Sequence, residues 1–174
     1  MEELALFPDI VADAPNTEGI KYAGSKLKLL PHILHLAKKV PARSVFDGFS
    51  GTTRVSQAFA KRGYRVIAND CAVWSQVFGT CYLLNHKSPS EYRDLIKHLN
   101  AVTPADGWFT QHYGGLPNGG LAAQVDGLKR PWQVKNTRKL DAIRDEIERL
   151  SLPPVDKAVA LTSLILSLDQ VDST

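Results

Sequence analysis

The sequence predicts an α/β fold of the kind that binds nucleotide-like ligands, and one stretch of chain provides most of the reason. A short apolar strand at residues 44–46 runs into a Gly-containing turn at residues 47–53, and a helix follows. A second apolar strand at residues 64–68 then leads to the acidic residue Asp70. In open α/β sheets, ligands bind at the carboxyl ends of the strands, where turn amides and a helix N-terminus take the polar end of the ligand.

Composition and charge are those of an ordinary globular protein. The 174 residues are enough for one domain with a core, or for one domain with an elaboration. A formal net charge of +3 permits a nucleic-acid partner without demanding one. Cys71 and Cys81 lack metal-site spacing, so we expect free thiols, no metal and a reducing compartment. Because the sequence shows neither a secretory signal nor an apolar run of membrane-spanning length, the expected location is the cytoplasm.

Apolar residues at helical spacing outline the other elements. The predicted helices cover residues 27–37, 53–62, 72–84, 89–99, 138–150 and 156–168. Gly63 is expected to end the second of these helices, and Ser88 with Glu91 is expected to open the fourth as a capping box. Asn136 or Thr137 is expected to cap the fifth.

Residues 102–132 differ from the rest of the chain because Gly, Pro and aromatic residues replace any regular period, which predicts an irregular insertion. Its large aromatic side chains are expected mainly to pin the Gly-rich loop, with DNA contact as the alternative. These side chains are Trp108, Phe109, Tyr113 and Trp132. In the helix that follows, Asp141 is expected on a charged, solvated face.

The residues of the turn narrow the choice of ligand. A dinucleotide-binding GxGxxG turn needs three glycines at set places, whereas here Gly48 and Gly51 are followed by two threonines. A P-loop is excluded because no Gly-Lys-Ser/Thr follows. Asp47 ends the first strand, where a carboxylate repels phosphate but attracts a cationic amino or sulfonium group. S-adenosylmethionine carries both of these groups, and Asp70 then suits its ribose diol.

Three segments, in this order along the chain, carry a family resemblance: Lys-Tyr-Ala-Gly-Ser-Lys at 21–26, Asp-Gly-Phe-Ser-Gly-Thr-Thr at 47–53, and Asn69-Asp70. They resemble the KWxGGK, [DE]xFxGxG and ND motifs of the Dam-type N6-adenine-specific DNA methyltransferases, which have the alpha order of motifs. A fourth segment at residues 136–149 is similar to the NxxKIDxIRxxI helix of that family.

The resemblance implies a partial Rossmann-like S-adenosylmethionine-dependent methyltransferase fold with a helical and irregular insertion. It implies action on adenine N6 of double-stranded DNA. Residues 1–19 would be a loose lead-in, residues 20–99 the cofactor-binding half, and residues 100–174 a recognition-type insertion with a helical segment. The residues placed around S-adenosylmethionine are Tyr22, Ala23, Gly24, Lys26, Asp47, Phe49, Ser50, Gly51, Asp70 and Cys71. Of these, Cys71 reads equally well as a core thiol.

The basic residues next to the insertion are expected at DNA phosphates, and they are Lys129, Arg130 and Lys135. Two residues depart from the family pattern in the cofactor segments. Thr53 stands where the turn has its last Gly, so either the backbone approaches the cofactor less closely or the hydroxyl replaces an amide contact. Ser25 stands for the second Gly of the first segment.

The family's catalytic [DN]PP[YF] tetrapeptide is missing from these residues. The only Pro-Pro pair, Pro153-Pro154, lies between Leu152 and Val155 and is expected to break a helix. In the family this tetrapeptide clamps the extruded adenine and follows the recognition insert. We therefore expect the chain to be the N-terminal part of such an enzyme, whether as a truncated gene or as a fragment, with no catalytic residue of its own and no activity alone.

Two other functions stay open at this point. A small NAD(P)-binding oxidoreductase would bind NAD and ignore S-adenosylmethionine. A non-catalytic DNA- or partner-binding module derived from a methyltransferase would bind DNA in a salt-dependent way that does not respond to cofactor. Roles in restriction–modification, repair or a phage are all compatible with the resemblance.

Overall fold

The computed structural model describes residues 13–20, 25–115 and 130–171. Its contacts divide the chain into two compact units, Met1–Leu83 and Leu84–Thr174. The helix predicted at residues 89–99 therefore belongs to the second unit, whereas the sequence places the end of the cofactor-binding half at residue 99. The division of the chain into functional domains stays a prediction.

The first unit is a strand–helix–strand arrangement preceded and followed by a helix. In chain order its regular elements are a 3₁₀ turn (Lys26–Leu29), α1 (Leu30–Ala37), β1 (Ser44–Asp47), α2 (Arg54–Lys61), β2 (Arg65–Ala68) and α3 (Val73–Leu84). The two strands are parallel, and Val45 lies opposite Val66 and Phe46 opposite Ile67. Gly63 has a φ of 83°, which suits glycine at the end of a helix and returns the chain to β2.

Among the described residues, one face of the two-stranded sheet is covered and the other is exposed. Val45 and Val66 pack against a buried cluster that α1 and α2 form with Leu30, Leu34, Ala58 and Phe59. Because side chains alternate along a strand, Phe46 and Ile67 point to the opposite face. Phe46 is 67% exposed and Ile67 is 52% exposed, so that face presents an apolar pair to solvent.

The second unit is helical. Its elements are a 3₁₀ turn (Pro89–Tyr92), α4 (Arg93–Ala101), α5 (Trp108–Tyr113), α6 (Val134–Arg149) and α7 (Pro154–Gln170). The predicted capping box is confirmed, since Ser88 and the Glu91 side chain bond each other's backbone. A core of four buried residues joins α4, α6 and α7: Leu99, Ile143, Ile147 and Ala160. In the described part of the chain, no helix combines the length and apolarity needed to cross a membrane.

Three predictions about the second unit are wrong. The region predicted as irregular contains α5, and α6 begins at Val134 with Gln133 as its cap, so neither Asn136 nor Thr137 caps it. Asp141 is not on a solvated face, since it is only 1% exposed. Its carboxylate accepts hydrogen bonds from the Thr110 amide at 2.8 Å and the Thr110 hydroxyl at 2.7 Å. Asp141 thereby caps the start of α5, an interaction that joins positions far apart in the sequence.

Candidate functional site

The turn between β1 and α2 is held in an uncommon backbone conformation. Gly51 has a φ of 48° and Thr53 a φ of 60°, so two residues of one short turn are left-handed. The Thr53 amide donates to the Ser50 carbonyl at 2.6 Å, and the Ser50 amide donates to the Asn69 carbonyl at 2.9 Å. The turn is thus closed on itself and fastened to the end of β2.

Thr53 is the more unusual of these two residues, because a β-branched side chain rarely accompanies a left-handed backbone. Such a residue costs on the order of 1–3 kcal/mol and persists only where its surroundings hold it. Here its hydroxyl donates to the Thr52 carbonyl at 2.7 Å and accepts from Gln57 Nε2 at 3.1 Å. The side chain is fully buried. The hydroxyl of Thr53 therefore bonds the protein's own groups.

Asp70 braces the turn from the far side. Its Oδ2 accepts from the Gly51 amide at 2.8 Å, and its Oδ1 accepts from the Ala72 amide at 2.9 Å. The Ala72 amide, and after it the Gly51 amide, stabilise the carboxylate and lower the pKa of Asp70 below its ordinary value. One acidic side chain therefore fixes both the turn and the start of the segment leading to α3.

Asp47 lies deeper than the sequence suggests. It is a buried residue at the end of β1, and its Oδ2 accepts from the Ser56 hydroxyl at 2.6 Å. Its backbone carbonyl accepts from the Asn69 amide at 2.9 Å. Both contacts join β1 to neighbouring elements, α2 in one case and the end of β2 in the other.

A cavity of about 310 Å³ lies beside the turn, at the carboxyl ends of the two strands. The residues that line it are Ser25, Lys26, Phe49, Ser50, Gly51, Thr52, Arg54, Val55, Asp70, Ala72 and Trp74. Phe49 is 85% exposed, and Lys26 Nζ donates to its carbonyl at 3.1 Å. Apolar and aromatic surface therefore meets two cations and one carboxylate within a single depression.

Of the predicted cofactor residues, Lys26, Phe49, Ser50, Gly51 and Asp70 line this cavity. Asp47 does not, and Cys71 is an exposed thiol outside the lining. The predictions for Tyr22, Ala23 and Gly24 fall outside the described residues, as does that for Lys129.

Sequence reasoning missed Arg54 and Trp74, both of which line the cavity. Arg54 Nη1 donates to the Thr17 carbonyl at 2.5 Å, and Nη2 donates to the Gly19 carbonyl at 2.8 Å. The sequence could have indicated both residues by position, because Arg54 begins the helix after the turn and Trp74 lies four residues after Asp70, at the start of α3.

The basic residues expected at DNA lie in the second unit. Arg130 Nη1 donates to the His112 carbonyl at 2.5 Å. Lys135 is exposed on the first turn of α6. Within residues 13–20, 25–115 and 130–171, no three His, Cys, Asp or Glu side chains gather as a metal site.

Known proteins resemble this chain over most of its length. The family model of the D12 class N6 adenine-specific DNA methyltransferases matches residues 22–173. Type II methyltransferase M.NlaIII of Neisseria lactamica is 30% identical over 135 residues, which cover 74% of this chain and 38% of that protein. Modification methylase LlaI of Lactococcus lactis subsp. lactis is 28% identical over 165 residues, which cover 89% of this chain and 26% of that protein. No solved structure matches.

The chain thus spans at most 38% of the length of these two relatives. The match to the family model covers nearly all of the chain, including the braced turn and the α6 segment. It confirms the resemblance carried by the sequence motifs, and the chain belongs to the D12 class N6 adenine-specific DNA methyltransferase family.

Proposed function

We propose that this chain forms the cofactor-binding part of an S-adenosylmethionine-dependent methyltransferase acting on adenine N6 in double-stranded DNA. Membership of the family implies S-adenosylmethionine as the methyl donor and the corresponding methyltransferase fold. The observation that carries the proposal is the cavity beside the turn that Asp70 braces. It lies where open α/β sheets bind ligands, at the carboxyl ends of parallel strands. We take the two strands as part of a Rossmann-like sheet.

The residues of the cavity suit the chemistry of this cofactor. A ligand with an aromatic base, a sugar diol and a zwitterionic amino-acid end needs apolar surface, a carboxylate and cations in one place. Phe49 and Trp74 offer aromatic surface for the base, and Asp70 offers carboxylate lone pairs for the diol. Lys26 and Arg54 are the lining cations for the carboxylate of the ligand.

Four residues predicted from the resemblance are not among the described residues that line the cavity, and their roles stay proposals. Tyr22, Ala23 and Gly24 directly precede Ser25, which lines the cavity, so they are proposed at the methionine end. Asp47 stays a proposed partner of the cofactor amino group. Its observed side-chain contact is the hydrogen bond from Ser56, which joins α2 to β1.

When bound, S-adenosylmethionine supplies an electrophilic methyl group on its sulfonium. The residues of this chain bind and orient it, while none of the 174 residues forms the family's [DN]PP[YF] tetrapeptide. We therefore propose that the chain alone transfers no methyl group. The relatives are called a type II methyltransferase and a modification methylase, which supports a role in restriction–modification.

The test of cofactor binding uses Trp74 as its reporter, because this tryptophan lines the cavity. Titration of the full chain with S-adenosylmethionine should change tryptophan fluorescence, and the change should vanish in Trp74→Phe while calorimetry still detects binding. NAD should produce neither signal. Saturable NAD binding without any response to S-adenosylmethionine would end the proposal.

The test of inactivity follows labelled methyl groups from S-adenosylmethionine to duplex DNA. We expect no transfer above background from the chain by itself. Measurable transfer by this chain alone would show that its residues contain a catalytic group, and it would remove the second part of the proposal while leaving cofactor binding untouched.

A further inference from the structure

The aromatic residues around α5 form one cluster, in which Trp108 is 55% exposed and Tyr113 is 40% exposed. Phe109 lies 4.9 Å from Tyr113 and 5.2 Å from Trp132, measured between ring centroids. Trp132 Nε1 also donates to the Leu168 carbonyl at 3.2 Å, which holds this ring against α7. These contacts explain three of the four large aromatic residues as packing for α5.

Trp108 is not explained in this way. Its ring stacks on the exposed ring of His112 at 4.5 Å with an interplanar angle of 25°, and the Tyr113 ring lies 5.8 Å away at 60°. The two residues are four apart on α5, the spacing that places side chains one above the other on a helix. At a protein surface, the N–H of a tryptophan is usually exposed to water while its apolar ring packs against a partner. More than half of the Trp108 surface remains exposed among the described residues.

The imidazole beneath Trp108 is held in a fixed orientation. His112 Nδ1 lies 2.7 Å from the Trp108 carbonyl oxygen. A carbonyl oxygen only accepts, so Nδ1 must carry the proton and donate. The ring cannot turn without breaking this bond, and the stacked pair therefore has little rotational freedom left to lose when something binds to it.

Two cations belong to the segment around Trp132, which pairs with the end of α5 at Gly114. Arg130 Nη1 donates to the His112 carbonyl at 2.5 Å, which places a guanidinium at the end of α5. Lys135 is exposed at the start of α6. The neighbouring acid, Asp106, is neutralised by Arg138, with Nε 2.6 Å from one carboxylate oxygen. The end of α5 therefore combines an exposed aromatic ring with the guanidinium of Arg130, and the exposed Lys135 follows in the first turn of α6.

We propose that Trp108, backed by His112, stacks on a nucleobase of the DNA substrate, while Arg130 and Lys135 contact phosphates. A flat ring beside cations is what proteins use to hold bases, because every base has a π-face and every nucleotide a phosphate. The inference rests on the proposed function for the choice of DNA. A protein partner is the competing occupant, since tryptophan and arginine also dominate protein interfaces.

The experiment measures the affinity of the full chain for a fluorescein-labelled DNA duplex by anisotropy over a series of salt concentrations. Trp108→Ala should weaken binding by about ten- to a hundredfold, the range expected for loss of one stacked base. Trp108→Phe keeps a flat ring and should stay within about threefold of the wild type. Trp108→Ala should leave the salt dependence unchanged, whereas Lys135→Ala should lower its slope by about one.

Several outcomes would overturn the inference. They are wild-type affinity in Trp108→Ala, no rescue in Trp108→Phe, or no DNA binding by the wild-type chain. If Trp108→Ala changes the sedimentation coefficient of the chain but not its DNA affinity, Trp108 and His112 form a protein–protein contact instead. Circular dichroism and the unfolding midpoint of each variant show that the fold is retained.

The cofactor titration separates this inference from the proposed function. It reports on Trp74 in the first unit, whereas the DNA experiment reports on Trp108 in the second. DNA binding that depends on Trp108, without any response to S-adenosylmethionine, supports the stacking role and removes the cofactor proposal. Cofactor binding with DNA affinity unchanged in Trp108→Ala supports the cofactor proposal and removes the stacking role.

Discussion

Gly51 affects both the stability of the turn and the shape of the cavity, because it has a left-handed backbone and lines the cavity. A Cβ added at Gly51 would touch no protein atom within 4 Å, so any cost of Gly51→Ala to folding comes from its left-handed backbone. That cost is about 1 kcal/mol. Since Gly51 lines the cavity, the added methyl should also weaken S-adenosylmethionine binding, by about 1–3 kcal/mol or roughly 5- to 150-fold. Calorimetry and urea unfolding measure the two effects.

Gly63 provides the matched control. It is also left-handed, a Cβ there also meets nothing within 4 Å, and it lies outside the cavity lining. Gly63→Ala should lose a similar amount of stability without changing cofactor affinity. Equal loss of affinity in both variants would contradict the placement of the cofactor at the turn.

Part of the candidate site was predictable from residue types and part was not. Asp70 and Phe49 were found because a carboxylate after a strand and a [DE]xFxGxG turn are local patterns. The bond from Ser56, in the helix that follows the turn, to the Asp47 carboxylate was not predicted, because no local pattern indicates it. Arg54 was missed because its contacts reach back to Thr17, a separation that no periodicity reports.

At the scale of elements, Asp141 joins α6 to α5. Three hydrogen bonds reach this buried carboxylate, two from Thr110 and one from the Phe109 amide at 3.1 Å. Asp141→Asn replaces one accepting oxygen with a donor that faces these donors. We expect a loss of about 2 kcal/mol in the free energy of unfolding, measured by urea and tryptophan fluorescence.

The control for this substitution lies on the same helix. Asp145→Asn removes an exposed carboxylate whose partner is the adjacent Arg144, and it should change stability by less than about 0.5 kcal/mol. Equal losses in the two variants would show that Asp141 does not act through its buried bonds.

Glu146 makes the second unit sensitive to acid. Arg149 first, and then His98, stabilise its carboxylate and lower the pKa of Glu146 from 4.5 to about 2. A lowered folded-state pKa contributes stability above the unfolded value, and this contribution is lost as the pH falls through the folded value. Stability should therefore decline between about pH 4.5 and pH 2.

Unfolding midpoints across this pH window test the expectation. Glu146→Gln should flatten the decline, whereas Glu148→Gln, which removes a charge paired with Lys157 on the same helix, should leave it in place. An unchanged pH dependence in Glu146→Gln would assign the acid sensitivity to other carboxylates.

Helices with a strong apolar period were predicted well, and elements that depend on distant partners were not. The α7 prediction at residues 156–168 needed only the helix's own apolar residues, and the helix begins two residues earlier, at Pro154. By contrast, α5 has six residues, too few for a recognisable period, and its start is capped from α6 by Asp141. The early start of α6 at Val134 was hidden because both Asn136 and Thr137 are good capping residues inside the helix.

At the scale of the whole molecule, we expect a ligand of the first unit to stabilise that unit, whose core is formed by its own elements. S-adenosylmethionine at about 100 times its dissociation constant should stabilise the first unit by about 2.7 kcal/mol. Trp74 reports the unfolding of this unit, while Trp108 and Trp132 lie in the other. We expect the Trp74 transition to move to higher urea concentration. A Trp74 transition that ignores saturating cofactor would contradict the proposed site.

The exposed side chains of Phe46 and Ile67 give the chain a response to salt that is opposite to that of DNA binding. In the described part of the chain the sheet has only two strands and one exposed apolar face, which favours self-association. Sulfate or phosphate strengthens such contacts because these ions are excluded from protein surfaces. The same ions weaken any contact between Arg130 or Lys135 and DNA phosphates. A rising concentration of sulfate or phosphate should therefore weaken DNA binding and favour self-association of the protein. Chloride salts, or a Phe46→Thr background, keep these two equilibria apart.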